Sequence, residues 1–228
     1  RVSLRRRAGR PGVERIMIRT FAKVTVGVAA LGVLVWLFLS TLQDTIAESY
    51  DVDGAAFSGW TLVSRVPRPG ELAALGLRPP QPLAPALFDE LFARTMASLT
   101  TPGAPLLPIV LAREVQGELG VVLTPDEMLT VALEAGLEGL QLRPVCMAVK
   151  REPFMGRTRE FFFIVFDAPE LAAVREQLGV LAAERGVAGA LSDPTFEFVL
   201  PVAASDAEFG SWWPLVVDRE TDCQAPVT

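Results

Sequence analysis

Phe161-Phe162-Phe163-Ile164-Val165-Phe166 sets six apolar residues in succession between Glu160 and Asp167. A β-strand turns successive side chains to opposite faces, so a strand with one wet face alternates apolar and polar residues. This stretch does not alternate. It predicts a central strand covered on both faces, and the second cover comes either from a helix of the same chain over Leu87 to Leu99 or from another protein. Upstream, Leu140 to Lys150 is a second strand-like run, joined to Arg159 to Phe166 by a turn around Pro153 and Gly156. Downstream, Phe196, Phe198, Leu200 and Val202 alternate along Thr195 to Val202 and predict a further strand.

Helix signals separate these runs. Thr124-Pro125-Asp126-Glu127 offers a hydroxyl at the N-cap, proline at the first helical position and glutamate at the third, and the helix it starts should stop at Gly136. Asp167 with Glu170 repeats the arrangement, predicting a helix from Ala168 to Arg185 before Gly186. Ahead of both, Leu106 to Val115 and Leu119 to Leu123 are apolar runs separated around Gln116 and Gly117, consistent with a hairpin. The order strand, helix, strand, strand, helix, strand over residues 106–203 resembles the ferredoxin-like βαββαβ sandwich, an α+β fold. That resemblance implies central first and third strands. Pro144 and Pro201 then fall in the second and fourth, at the sheet edges, where a missing amide costs least.

Working outward, Leu87, Phe88, Leu91, Phe92, Thr95, Met96 and Leu99 recur at helical spacing, forming an amphipathic helix that packs on the domain or on a partner. Residues 86–203 thus make up the predicted domain with its preceding helix. Residues 44–85 carry Pro67, Pro69, Pro79, Pro80, Pro82 and Pro85 and read as an extended spacer, with a short strand candidate around Trp60, Leu62 and Val63. The aromatic tail, 204–228, concentrates Phe209, Trp212 and Trp213. These residues are candidate partner-docking anchors, or a tail folded onto the domain core. Cys146 and Cys223 are the only thiols. An oxidising compartment permits a disulfide that would tie the tail to the second strand; otherwise Cys146 is an isolated buried thiol and Cys223 is unpaired.

The N-terminal flank has a different composition. Residues 1–23 hold eight Lys and Arg against Glu14 alone, a balance of +7, so with a net charge of -6 the other 205 residues carry -13. Val24 to Gln43 follows, 20 residues without an ionisable side chain. At ~1.5 Å per residue this run matches the ~30 Å hydrocarbon core and predicts one transmembrane helix. The basic flank predicts a cytoplasmic N-terminus and an acidic bulk outside, on the periplasmic side of a bacterial inner membrane. Gly27, Ala30 and Gly32 are candidate helix-packing positions, since small residues let helices approach closely. Membrane lipid accounts for the basic tail without nucleic acid.

The chain has no histidine, which excludes serine–histidine and cysteine–histidine hydrolases. No Cys-x-x-Cys, Walker A or Gly-x-Gly-x-x-Gly sequence occurs, so no cofactor, metal or small-molecule substrate is expected. Asp126-Glu127 lies at a helix start and Asp89-Glu90 on a solvent face, where carboxylates complement the dipole or solvate the surface. These features point to a non-enzymatic, single-pass accessory subunit of a larger membrane complex, with photosynthetic or respiratory electron-transport assemblies first. Its expected partners are other integral membrane subunits. The alternatives are a membrane-tethered binding module or a component of a secretion or pilus assembly.

Overall fold

A computed structural model describes residues 27–37, 48–68 and 70–228. The chain divides into two units, Arg1–Thr45 and Ile46–Thr228. In the first, residues 27–37 form a helix, α1, whose side chains are exposed. The expected transmembrane run extends past α1 at both ends onto residues 24–26 and 38–43, which lie outside the described residues, as does the basic flank 1–23. Among the described residues no helix is long and apolar enough to cross a membrane.

The second unit is mixed α+β with two antiparallel sheets. β1 (Thr61–Ser64), β2 (Ala73–Arg78) and β3 (Leu107–Leu111) form one, in the order β1-β2-β3. The other contains β4 (Arg143–Phe154), β5 (Arg157–Asp167), β6 (Phe198–Ala204) and β7 (Cys223–Pro226), in the order β6-β5-β4-β7. Between and around them run α2 (Leu83–Thr95), the short turns α3 (Ala112–Glu114) and α4 (Gly120–Val122), then α5 (Pro125–Glu134), α6 (Pro169–Glu184) and α7 (Arg219–Asp222).

The apolar strand is interior, as expected: β5 pairs with β4 from Phe154↔Arg157 to Arg143↔Asp167 and with β6 from Phe161↔Ala204 to Phe166↔Phe198. The single ferredoxin-like sheet does not form. Its expected first strand, β3, pairs with β2 and only lies against β6, and β7 occupies the outer side of β4. Pro201 does sit on an edge strand. Pro144 sits at the start of β4, where a register shift separates it from Cys146 and β7 has not yet paired.

Three further expectations are corrected. The residues read as a spacer are folded from Tyr50 onward, because Tyr50, Phe57 and Trp60 are buried and β1 and β2 are strands. Pro67, Pro79 and Pro80 flank β2 rather than extend through it. The second run of the expected 106–123 hairpin is helical: an irregular stretch runs from Ala112 to Val122, broken at Gly117. The amphipathic helix begins four residues early, at Leu83, and ends at Met96, which turns left-handed at φ 51°.

The Thr124 capping box is present: the Thr124 amide donates to Glu127 at 2.9 Å and the Glu127 amide to Thr124 Oγ1 at 3.3 Å. The Thr124 amide, Arg185 2.8 Å away and the Thr124 hydroxyl at 2.9 Å hold the Glu127 carboxyl below the usual range. α6 has no such cap, its N-cap residue being Ala168. Leu171, Val174, Leu178 and Ala182 of α6 nonetheless join Phe162, Ile164 and Phe166 of β5 and the apolar residues of β2, β3 and α5 in one core.

Candidate interaction surface

The opposite face of β5 builds a second core. Phe161, Phe163 and Val165 cluster with Cys146 and Ala148 of β4, Val199 and Ala204 of β6, and Trp212. The ring of Phe161 stacks on Trp212 at 5.3 Å and meets Trp213 edge-on at 5.6 Å and Phe209 at 6.2 Å. The cover expected from the Leu87–Leu99 helix or a foreign protein is therefore the chain's own C-terminal segment. Trp212 is 2% exposed, which removes it as an exposed docking anchor; Phe209 and Trp213 are half-buried on the same cluster. The physical reason is the bare apolar face, which is worth ~1.5–3 kcal/mol per large side chain taken from water.

An irregular segment has few backbone bonds of its own, and polar and covalent fasteners hold this one. Cys146 and Cys223 are disulfide-bonded across β4 and β7, with Cα atoms 5.7 Å apart and a sequence separation of 77. Lys150 Nζ donates to Asp222 at 2.9 Å, and the same carboxylate accepts the Asp218 amide at 2.9 Å. Arg159 donates to Ser211 Oγ at 2.9 Å and to Glu152 at 2.7 Å while its guanidinium lies 4.2 Å from the Trp212 ring centre. Arg219 grips Glu197 through two bonds of 2.9 and 2.6 Å, which raises the Arg219 pKa further. Trp212 Nε1 is buried without a hydrogen-bond partner.

The start of the domain is fastened to its end. The Tyr50 amide donates to Pro226 O at 2.9 Å and the Thr228 amide to Tyr50 O at 2.9 Å, a parallel bridge between Tyr50 and Val227. Arg94 of α2 donates to the carbonyls of Glu48 and, at 2.7 Å, Ser49, pairs with Glu90, and lies 3.9 Å from the Tyr50 ring centre. Burial pushes the Tyr50 phenol up, and the Arg94 charge opposes it.

No family model, no curated protein and no solved structure matches this chain. The surface must therefore be read from its own geometry. Among the described residues no group of acidic, cysteine or histidine side chains is arranged to hold a metal. A cleft of about 480 Å³ beside α6 is lined by Arg175, Phe196 and Asp193. Arg175 is spent inside the protein, donating to Ile109 O at 2.6 Å and to Glu114 at 2.9 and 3.1 Å, with Phe196 stacked at 3.7 Å. The sequence signal for it was a cation on the Leu171, Val174, Leu178 stripe. Gly27, Ala30 and Gly32 all lie in α1, but at ~100° per residue Gly32 points away from the Gly27 and Ala30 side, so the three do not share one packing face.

The largest exposed apolar side chains of the domain include Met155 at 89% and Phe154 at 49%, side by side at the turn of the β4–β5 hairpin. Met155 and Gly156 both have positive φ, 48° and 77°, as in the primed two-residue hairpin turns. Such a turn favours glycine, asparagine or aspartate. Beyond Lys150↔Phe161 the hairpin continues to Phe154↔Arg157 with no further strand paired to either side. This tip, unlike the aromatic tail, carries no sequence signal, because its two apolar residues belong to no periodic run.

Proposed function

We propose that this chain is a non-catalytic, single-pass accessory subunit of a larger bacterial membrane complex, with residues 24–43 spanning the inner membrane and residues 48–228 folded on the periplasmic side. The observation that carries this reading is the clamp at Glu48 and Ser49. Only five residue steps separate Gln43 from Glu48, at most ~18 Å of extended chain, so a spanning run tethers the folded domain at the bilayer surface. A substrate-capturing module on a long leash would need the spacer that the fold has absorbed. The disulfide fits an oxidising compartment, in agreement with the positive flank 1–23 facing the cytoplasm. Photosynthetic and respiratory complexes are the first assemblies to test.

Two measurements test it. Protease added outside spheroplasts should digest the domain and spare the N-terminal flank. Mild-detergent purification at native abundance should recover integral membrane partners in fixed ratio. Protection of the domain refutes the topology, and recovery of the chain alone refutes the subunit role.

A further inference from the structure

We propose that the cleft between α6 and the loop that follows it docks a partner-protein segment carrying an aliphatic side chain and, about one helical turn from it, a lysine or arginine. The inference rests on the reading of this chain as a subunit of a larger assembly, and it concerns the Ile46–Thr228 unit alone. After Glu184 the chain turns through Gly186 and Gly189, both at positive φ, and comes back beside α6. The cleft they enclose, about 480 Å³, is lined by Gly179, buried Leu191, half-buried Phe196 and Val180, which is 55% exposed.

Gly179 sits in the interior of α6, where glycine is less stable than alanine because it gives up more backbone freedom on folding. The fold does not require it. A Cβ built on Gly179 meets nothing nearer than the Leu191 Cβ at 3.8 Å, an ordinary contact. Gly76 and Gly120 differ, since a Cβ there would lie 2.7 and 2.0 Å from a carbonyl oxygen. What the glycine at 179 supplies is depth in the cleft, room for a side chain that comes from outside.

Charge selects the occupant. Arg175, the cation among the lining residues, is 4% exposed and bonded to Ile109 O and to both Glu114 carboxylate oxygens, so it is not free for an acidic ligand. The carboxylates of the cleft are free. Glu176 is exposed, forms no ion pair or hydrogen bond among the described residues, and lies one turn from Gly179 on the same side of α6. Asp193, on the loop side, accepts from the Thr195 hydroxyl at 2.7 Å and the Thr195 amide at 2.9 Å, and these bonds hold its carboxyl below the usual range. Arg113, the other cation near Asp193, is exposed and does not line the cleft. Glu170 and Glu184 extend the same sign along α6. An apolar cleft edged by unpaired carboxylates suits an aliphatic side chain beside a cation, as an amphipathic helix offers to a groove.

The test uses the full chain with p-benzoylphenylalanine in place of Val180, made at native abundance and illuminated in its own membranes. The crosslink should join a partner protein, within a segment where an aliphatic residue lies about three or four positions from lysine or arginine. Glu176→Lys, at an exposed position, should lower the crosslinked yield several-fold by setting a cation against a cation. Gly179→Leu, which fills the cleft and suits a helix better than glycine, should lower it as far with the urea midpoint undiminished. Yield unchanged in Glu176→Lys overturns the proposal whatever Gly179→Leu does, as does a crosslink to an acidic segment or to a second copy of this chain. Absence of any crosslink in membranes from which mild detergent recovers partners overturns the docking site and leaves the subunit reading standing. Recovery of the chain alone overturns both.

Discussion

The two faces of β5 are equally dry and are kept dry by different means. Phe162, Ile164 and Phe166 are 5%, 0% and 1% exposed beneath helices and a second sheet; Phe161, Phe163 and Val165 are each 0% exposed beneath an irregular tail. Regular elements hold themselves through their own backbone ladders, so the inner face is held chiefly by side-chain packing, with Arg175 tying α6 to Ile109 O and Glu114. The tail must be fastened from outside, and its fasteners are of several types: a disulfide, the ion pairs Lys150–Asp222 and Arg219–Glu197, and the Arg159 cation bonded to Ser211 and lying over an indole. The lesson is that burial alone does not rank the faces. The inner core should unfold as one unit, whereas the outer cover should open before the rest.

That asymmetry can be broken at graded strength. Phe166→Ala, on the inner face against Phe57 and Trp60, should cost about 3–5 kcal/mol and lower the single urea midpoint of the full chain in detergent. Trp212→Ala should cost about 3 kcal/mol, the low end for a buried tryptophan, because the tail can settle onto Phe161 and Nε1 gives up no hydrogen bond. Its mark is enhanced binding of an apolar dye with the far-ultraviolet helix signal retained; loss of that signal would show that the two faces are one cooperative unit. Replacing Cys146 and Cys223 together by serine should cost about 2–4 kcal/mol, given the long loop the bond closes.

Smaller changes sharpen the contrast. Lys150→Ala leaves the buried Asp222 carboxylate without its cation and should cost about 1 kcal/mol, read as faster proteolysis within the tail. Glu127→Gln tests an inner-core helix start through pH. Its folded pKa is depressed, so the stability it contributes is present above the unfolded carboxylate range and is lost as pH falls through the folded value. The wild-type advantage in urea midpoint should therefore be present at neutral pH and vanish in acid.

These differences also explain what the sequence made legible. The unbroken Phe161 to Phe166 run announced both cores, and the Thr124 capping box announced α5, because each depends on neighbours in sequence. Strand partners do not. β2, Ala73-Ala74-Leu75-Gly76-Leu77-Arg78, carries no alternation, and its Gly76 serves a close approach in which a Cβ would meet Leu107 O at 2.7 Å. Without a sequence signal for β2, the pattern places β3 in the wrong sheet. The tail was visible as an aromatic cluster with two possible uses, and only its register beside β4 shows that the cluster closes the chain's own sheet. The hairpin tip carries no pattern, since Phe154 and Met155 belong to no periodic run.

The account turns on the tail being the standing cover of the outer face, and amide hydrogen exchange of the full oxidised chain measures that directly. In the wild type, β7 and the Phe209–Trp212 turn should be protected well beyond free-peptide rates. In the Cys146→Ser, Cys223→Ser chain that protection should be lost while α5 and α6 keep theirs. Tail amides exchanging at free-peptide rates in the oxidised wild type, with β4, β5 and β6 fully protected, would contradict it and return the outer face to a foreign partner.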